Sequence, residues 1–599
     1  MKQFLSIILL LIASSGTMNA QVLVENTDQV DRFKELPREG IFIHFNSSLL
    51  LTGEYLYYKV YCLNARTNQL SDLSKIAYVE LVGKDGKEIF KHKIKLENEQ
   101  GSGDFFIPVS VPSGSYKLLG YTKWMQNGNV ADFFQNDIHI INPYLADQSA
   151  VQTNGIIPID TIRPAISAKK DRSRKLNKEA DASSAIDLIL EKENYGKRSK
   201  VSMILTGLDQ NPKAKGDLSI SIRKKGIIPE PDKFNTVQYL ENYKSREYQF
   251  DGSNQSKVFL PELRGELLSG RIIPTDTDFS VKNLKVAVSI PGEHNYFAIA
   301  KTNEFGHFYV NIDRYYSGDE ILLQVLDENI LDFKIVLDQP TAMDYSDIPF
   351  SDLEIDASMK EEILKRSIHN QIENAYFKYK PDSVLSVLPF ELFKNKKGQT
   401  YVLDDYTRFK TVRETIFEFV KHVFIRKGSK DNSVLRVQGY DFNSNTGILP
   451  LVLIDAFLVQ DHNALFGYDA RRIEKITIYR DQLVIGPQIF QGAIVLKTID
   501  GINEDLINEG SIVTAPIIKP QVNKNYFKQR YDIDSNKKAY SRIPDDRYQL
   551  LWIPQLNLLE KEVKIDFFTS DVTGEFEICI EGFLGKQKPI SIRKSLYVK

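Results

Sequence analysis

From Gly40 to about Asn142 apolar and polar positions alternate in short runs broken by turn residues: YLYYKVYCL, IAYVELVGKDGKEIFKHKIKL and GSGDFFIPVSVPSGSYKLLGYTKWM. A period of two predicts half-buried strands. Lys84-Asp85-Gly86-Lys87 predicts a hairpin turn, and Pro112-Ser113-Gly114 a turn ahead of a strand over Tyr116 to Tyr121. Regularly spaced strands of this kind read as a β-sandwich. The run YGKRSKVSMILTGLDQNPKAKGDLSISIRKKG adds two alternating strands around a polar turn and predicts a second sandwich. A third set follows in LRGELLSGRIIPTDTDFSVKNLKVAVSIPGEHNYFAIAKTNEFGHFYVNI. There Gly306 lets the chain reverse and Phe308 returns to the core, while His307 reads as an exposed strand-end residue rather than a ligand. A last set of alternating strands, with a Thr573-Gly574 turn, fills the C-terminal stretch.

Between these the period switches to 3.6. Met359, Ile363, Leu364, Ile368, Ile372 and Ala375 fall on one face of a predicted helix that Asp356 or Ser358 could cap. Glu361, Glu362 and Glu373 lie off that face and read as solvated surface. YVLDDYTRFKTVRETIFEFVKHVFIRK predicts a second helix with Val412, Ile416, Phe417, Val420, Val423 and Phe424 on its apolar side. Four strands follow, VLRVQGYD, LPLVLIDAFLV, RRIEKITIYRD and FQGAIVLKTID, with a short helix before the third. The expected fold is thus mostly β, a string of β-sandwich domains with one smaller α+β domain.

Two stretches lack either period. Residues 146–185 are polar and charged and read as a linker; the basic half, Lys169 to Lys178, could meet an anionic surface, but a solvated linker is the favoured reading. At the start, Lys2, the apolar run Phe4 to Ala13 and small or polar residues up to Ala20 have the layout of a secretory signal peptide, with a buried N-terminal helix as the alternative. Cleavage is expected after Ala20, although Met18 fits the small-x-small rule poorly. No Cys lies nearby to suggest a lipid anchor, and no later run approaches the ~20 apolar residues of a membrane helix.

Length and composition sharpen this picture. A chain of 599 residues implies roughly four to five domains. The expected partition is 1–20 signal peptide, 21–145 first sandwich, 146–185 linker, 186–258 second sandwich, 259–340 third sandwich, 341–385 helical connector, 386–505 α+β domain and 506–599 C-terminal sandwich. A net charge of -2 with 26% charged residues speaks against nucleic acid as a partner. Cys62 and Cys579, the two cysteines, stand at opposite ends of the chain inside strand-like runs and read as buried small hydrophobes rather than a bridge or a nucleophile. The eight His residues are scattered, with no H-E-x-x-H or other metal spacing, no G-x-S-x-G and no phosphate loop. No catalytic residue, metal or cofactor is expected, and the chain does not read as an enzyme.

Several motifs carry resemblances. Gly53-Glu54, the D-G-K hairpin, then G-x-G-x-F and P-S-G-x-Y resemble the MG2 domain of the alpha-2-macroglobulin family over about a hundred residues. The turn from Thr302 to Phe308 looks like that of the carboxypeptidase regulatory-like sandwich. Pro450-Leu451, Ile454-Asp455, Ile473-Glu474-Lys475-Ile476 and Gly492-Ala493-Ile494 to Thr498 match, in order, the text of the plug domain of TonB-dependent receptors. Ala456 stands where that family has Gly, which implies a relaxed turn, and Asp481 where it has a Gly-rich loop. Arg547, Leu550, Trp552, Pro554, Phe567, Ser570 and Asp571 resemble the closing sandwich of Bacteroidota exported proteins built from the same modules. A receptor barrel of about 22 strands needs well over 200 residues, more than the tail offers. A macroglobulin protease trap needs a Cys-Gly-x-Gln thioester, which neither Cys62 nor Cys579 supplies.

What the resemblances imply is a noncatalytic cell-envelope binding and assembly protein, exported to the periplasm, the outer membrane or the cell surface. Its implied partner is an outer-membrane β-barrel protein or transporter complex. A freestanding surface adhesin or ligand-binding array is the alternative, and a macroglobulin-type protease inhibitor a further one. If the plug-like face docks, the turn Ile454, Asp455, Ala456 and the loop residues Asp461, His462, Asn463, Phe466, Tyr468 and Asp469 are the candidate docking positions. Ordinary strand connections are the competing reading for both.

Overall fold

In the computed structural model, strands Glu39–Phe45, Tyr55–Asn64 and Gln100–Phe106 pair antiparallel as one sheet. A second sheet has the order Leu49–Leu51, Phe134–Ile141, Gly114–Tyr121, Ile76–Gly83, Glu88–Lys95. The structure describes residues 35–599 apart from 146–147, 149–150, 152–185, 208–216, 245–258, 277, 328–329, 339–342, 386, 388–391, 429–431, 441–446, 502–511, 533–541, 559, 561 and 586. The signal-peptide segment and nearly all of the 146–185 linker, its basic half included, therefore lie outside the described residues. The two sheets enclose Phe42, Tyr58, Val60, Val79, Leu118 and Phe134, each almost fully buried. The hairpin turn falls at Gly86, φ +77°, as its Asp-Gly text requires. The strand Glu39–Phe45 is buried along its whole length, and its polar end is satisfied: Ser71, Ser74 and Thr122 all donate to the Glu39 carboxylate.

The next sandwich corrects the expected partition. Strands Asp187–Leu190 and Lys200–Thr206 pair with Val563–Phe568, while Asp217–Lys224 sits between Gln549–Asn557 and Gly574–Leu584, with Lys588–Val598 and Asn194–Tyr195 beyond. The text at 186–258 and at 506–599 therefore builds one sandwich, not two. The four strands that either stretch contributes leave too much apolar surface uncovered alone; together they close over Val201, Met203, Ile220, Phe576, Ile578 and Leu596.

These two sandwiches and the helix Lys360–Ala375 belong to one compact unit, residues 37–259, 343–385 and 521–599. The helix covers the predicted positions from Ile363 to Ala375, with Met359 in the 3-10 turn before it, but its buried side chains are Ile363, Arg366 and Ser367, and Leu364 (57%) and Ile368 (46%) are exposed. The expected apolar stripe is not its docking face, because the surface it meets offers a carboxylate. Asp356 caps the short 3-10 turn that leads into it, accepting from Ser358 N.

The other compact unit comprises residues 260–342 and 386–520. Its sandwich packs the sheet His307–Ile312, Glu266–Pro274, Phe333–Leu337 on the sheet Tyr296–Lys301, Lys285–Ile290, Glu320–Leu326, Ile512–Pro516. The strand Ile512–Pro516 thus joins this sandwich rather than a C-terminal one. Gly306 has φ +81°, with Ile272 O 2.5 Å from where a Cβ would stand, and Phe308 is fully buried.

The α+β part has a five-stranded sheet in the order Gly398–Val402, Ile473–Ile485, Gln488–Thr498, Leu451–Ile454, Phe457–Leu458. Helices Val412–Glu418 and His462–Phe466 and the hairpin Val423–Lys427/Ser433–Val437 share its core. The second predicted helix is therefore much shorter than its apolar text. A capping box at Thr411 and Glu414 starts it, but β-branched Val423 and Ile425 enter a strand, and Phe417 is 83% exposed. The molecule as a whole is mostly β, a set of β-sandwiches with one smaller α+β part.

Candidate binding cleft

Gly53 and Glu54 occupy the turn between Leu49–Leu51 and Tyr55–Asn64. Gly53 has φ +86°, and a Cβ on it would fall 2.6 Å from Asn370 Nδ2 and 2.9 Å from Asn374 Nδ2. Only glycine lets the Lys360–Ala375 helix sit this close. Asn370 donates to Thr52 O at 2.8 Å and Asn374 to Gly53 O at 2.9 Å. One turn earlier on the helix, Arg366 donates from Nε and Nη2 to the two oxygens of Glu54, both at 2.8 Å. Arg223 adds a third bond at 2.8 Å from the neighbouring sandwich strand. Burial pushes the Glu54 carboxyl up, but the two guanidinium charges more than reverse this and hold it at about 2.

A second ionic chain runs alongside. Lys380 donates to both oxygens of Glu373 at 2.9 and 2.7 Å, and Asp546 N donates to the same carboxylate at 2.6 Å. Glu373, expected to be solvated, is half-buried, and burial pushes its carboxyl up against the pull of Lys380. Arg547 bonds Asp545 through Nε (2.5 Å) and Nη2 (2.6 Å) and donates to Leu550 O. Ser570 donates to Arg547 O, and Asp571 pairs with Arg198 at 2.5 Å.

Around these groups lies a cleft of about 150 Å³. Tyr55 and Tyr57, two apart on one strand and so on one face, stack at 5.6 Å and 13°. Phe377 extends the row from Tyr55 at 6.1 Å and 16°, and Trp552 from Tyr57 at 5.9 Å and 22°. Tyr526 meets Tyr57 edge-on at 5.1 Å. Trp552 is 3% exposed, and its Nε1 has no acceptor among the described residues. The cationic lining groups Arg223, Lys380 and Arg547 are each held by an internal carboxylate. Two lining carboxylates, Asp382 and Asp546, are in no ion pair among the described residues. Asp382 accepts from Phe527 N at 2.8 Å, and burial pushes both carboxyls up. The cleft therefore presents flat aromatic surface and acceptor oxygens, while its buried carboxylates are fixed in pairs.

The positions expected to dock lie elsewhere, in the α+β part. Ile454, His462, Phe466 and Tyr468 are buried, three of them within its core. His462 accepts from Leu435 N at 2.9 Å, and burial holds its imidazole down at about 4. Asp461 caps the His462–Phe466 helix through Asn463 N; Asp469 accepts from Arg471 N and pairs with its guanidinium at 2.6 Å. Asp455 bonds Thr498 through its backbone N–H (3.0 Å) and its hydroxyl. The turn at Ala456 is not relaxed. Asp455 (φ +47°) and Ala456 (φ +68°) form a two-residue turn between the pairs Leu453↔Leu458 and Ile454↔Phe457, because the Asp455–Thr498 bonds fix its geometry without a glycine.

Sequence reading named Gly53, Glu54, Arg547 and Trp552 as motif residues without bringing them together, and missed Arg366, Asp382 and Asp546. The Tyr55/Tyr57 alternation was the one local signal of an aromatic face. Cys62 and Cys579 are both buried and unbridged, and burial pushes each thiol up.

No protein-family profile matches the chain, and no curated protein does. Among solved structures it is similar to Salmonella alpha-2-macroglobulin reacted with methylamine, at 9% identity over 94% of this chain and 39% of that one, TM-score 0.22. It is similar to Escherichia coli alpha-2-macroglobulin activated by porcine elastase, at 10% identity over 94% and 44%, TM-score 0.23. Dimeric latent PorU from Porphyromonas gingivalis matches at 8% identity over 51% and 33%, TM-score 0.15. The chain thus spans 39% and 44% of the two macroglobulins' lengths, and likeness at these TM-scores carries no argument about role.

Proposed function

We propose that this is a noncatalytic binding and assembly protein of the cell envelope, exported and working beside an outer-membrane β-barrel transporter or secretion channel. The observation that supports this best is the open edge of the α+β sheet. Among the described residues strand Gly398–Val402 pairs on one side only, with Ile473–Ile485, and four of its five residues are exposed, which suits strand addition by a partner. The plug-like text at 450–498 lies in the same sheet, and the tight ion pairing of Glu54 and Glu373 suits a rigid scaffold better than proton transfer. Affinity purification from detergent-solubilised envelopes tests the reading. Recovery of an outer-membrane β-barrel protein, lost when Val402→Lys charges the edge, is expected; recovery of the protein alone counts against it.

A freestanding surface adhesin or ligand-binding array is the second reading, favoured by the aromatic cleft. Protease shaving of intact cells separates the two, since a periplasmic partner is protected and an adhesin is cut.

A further inference from the structure

We infer that the aromatic cleft recognises an organic cation, the ammonium or guanidinium head of a basic side chain presented by a peptide. The inference does not depend on the envelope role proposed above. Three observations carry it. Tyr55, Tyr57, Phe377 and Trp552 form a row of rings, with Phe377 45% exposed at the rim; ring faces carry negative potential and attract desolvated cations.

The second observation is the charge left over. The lysine and arginines of the lining are already matched by Glu54, Glu373 and Asp545. Lys524, which is near Asp382, is bound to Asp104 at 2.9 Å. Among the described residues Asp382 and Asp546 line the cavity in no ion pair, Lys524 acting on the first and His369 and Lys380 on the second only from beyond ion-pair distance, and a ligand of positive charge completes them. Asp382 also acts on both tyrosines, whose hydroxyls are pushed up by burial and then by the Asp104 and Asp382 charges.

Third, Trp552 Nε1 is buried without an acceptor among the described residues. Buried donors are rarely left unmade, and a peptide carbonyl beside the basic side chain supplies one. A bare amine does not, which favours the peptide over a small free cation.

The test uses the whole exported chain and three capped tripeptides with a central arginine, lysine or neutral citrulline. The chain has two tryptophans, so Trp124→Phe leaves Trp552 as the only indole, read by selective tryptophan excitation. Saturable quenching by the arginine or lysine peptide is expected, weakening as salt rises. Asp382→Asn keeps the acceptor for Phe527 N but removes the charge, and should lower affinity about tenfold; Asp546→Asn should act in the same direction, with circular dichroism confirming that both variants fold. Equal binding of the citrulline peptide, no binding of any peptide, or free methylguanidine binding as tightly as the arginine peptide overturns the inference.

Discussion

Arg366 and Glu54, 312 positions apart, meet through two parallel 2.8 Å hydrogen bonds, and this contact fixes the helix Lys360–Ala375 onto the first sandwich. Both side chains are nearly fully buried, so removing one partner strands a charge. Arg366→Leu is expected to destabilise this unit by about 3–5 kcal/mol, read as a lower urea midpoint. A loss under ~1 kcal/mol would show that Arg223 alone suffices.

The same carboxylate sets an acid limit. Its pKa falls from an ordinary 4.5 to about 2 in the folded protein. A depressed folded value means that the stabilisation is complete above pH 4.5 and disappears as pH falls to about 2. It is on the order of 3 kcal/mol. The stability difference between wild type and Glu54→Gln should therefore shrink across that window; a difference that stays constant refutes the assignment.

Lys59 and Asp217 show the opposite balance. They are 3.9 Å apart, yet burial lowers the lysine to about 8 and raises the aspartate to about 6, so desolvation outweighs their attraction. The aspartate's stabilisation is present below 3.8 and lost by about pH 6, and the lysine's charge is disfavoured at neutral pH. Replacing the pair by Lys59→Met with Asp217→Leu should be neutral or stabilise by about 1–4 kcal/mol at pH 7, whereas Lys59→Met alone should destabilise. Denaturant titration of the three proteins checks this.

Ala456 holds a left-handed conformation that costs L-residues more than glycine. Ala456→Gly is expected to stabilise the α+β part by about 0.5–1 kcal/mol, and Asp455→Ala to destabilise it by freeing Thr498. A lower melting temperature for Ala456→Gly would mean that the methyl packs usefully.

Period-two text and turn chemistry made the individual strands legible: the Asp-Gly hairpin, the Gly114–Tyr121 strand and the Gly306 reversal all depend on neighbours in sequence. Strand pairing was not legible. Ser221 and Trp552 are register partners on neighbouring strands of one sheet, and nothing local to either announces the other. The helix face failed for the same reason, since Arg366 is buried only because Glu54 waits in a turn 312 positions away. Apolar text around Val420 to Ile425 fits a helix or a strand equally well, and tertiary packing decided it. The cleft could not be read at all, because its lining comes from segments near 55, 223, 377, 526 and 549.

The sandwich shared by 187–224 and 549–598 also constrains how the chain can be made. Gln549 bonds Ser221 at a separation of 328 positions, so the earlier strands emerge with their partners still unsynthesised and their edges open. Such long-range pairing is slow and exposed to aggregation. A chain of this design cannot close its second sandwich until its late strands arrive, and cutting it after the α+β part would release two orphaned half-sheets rather than a shorter protein.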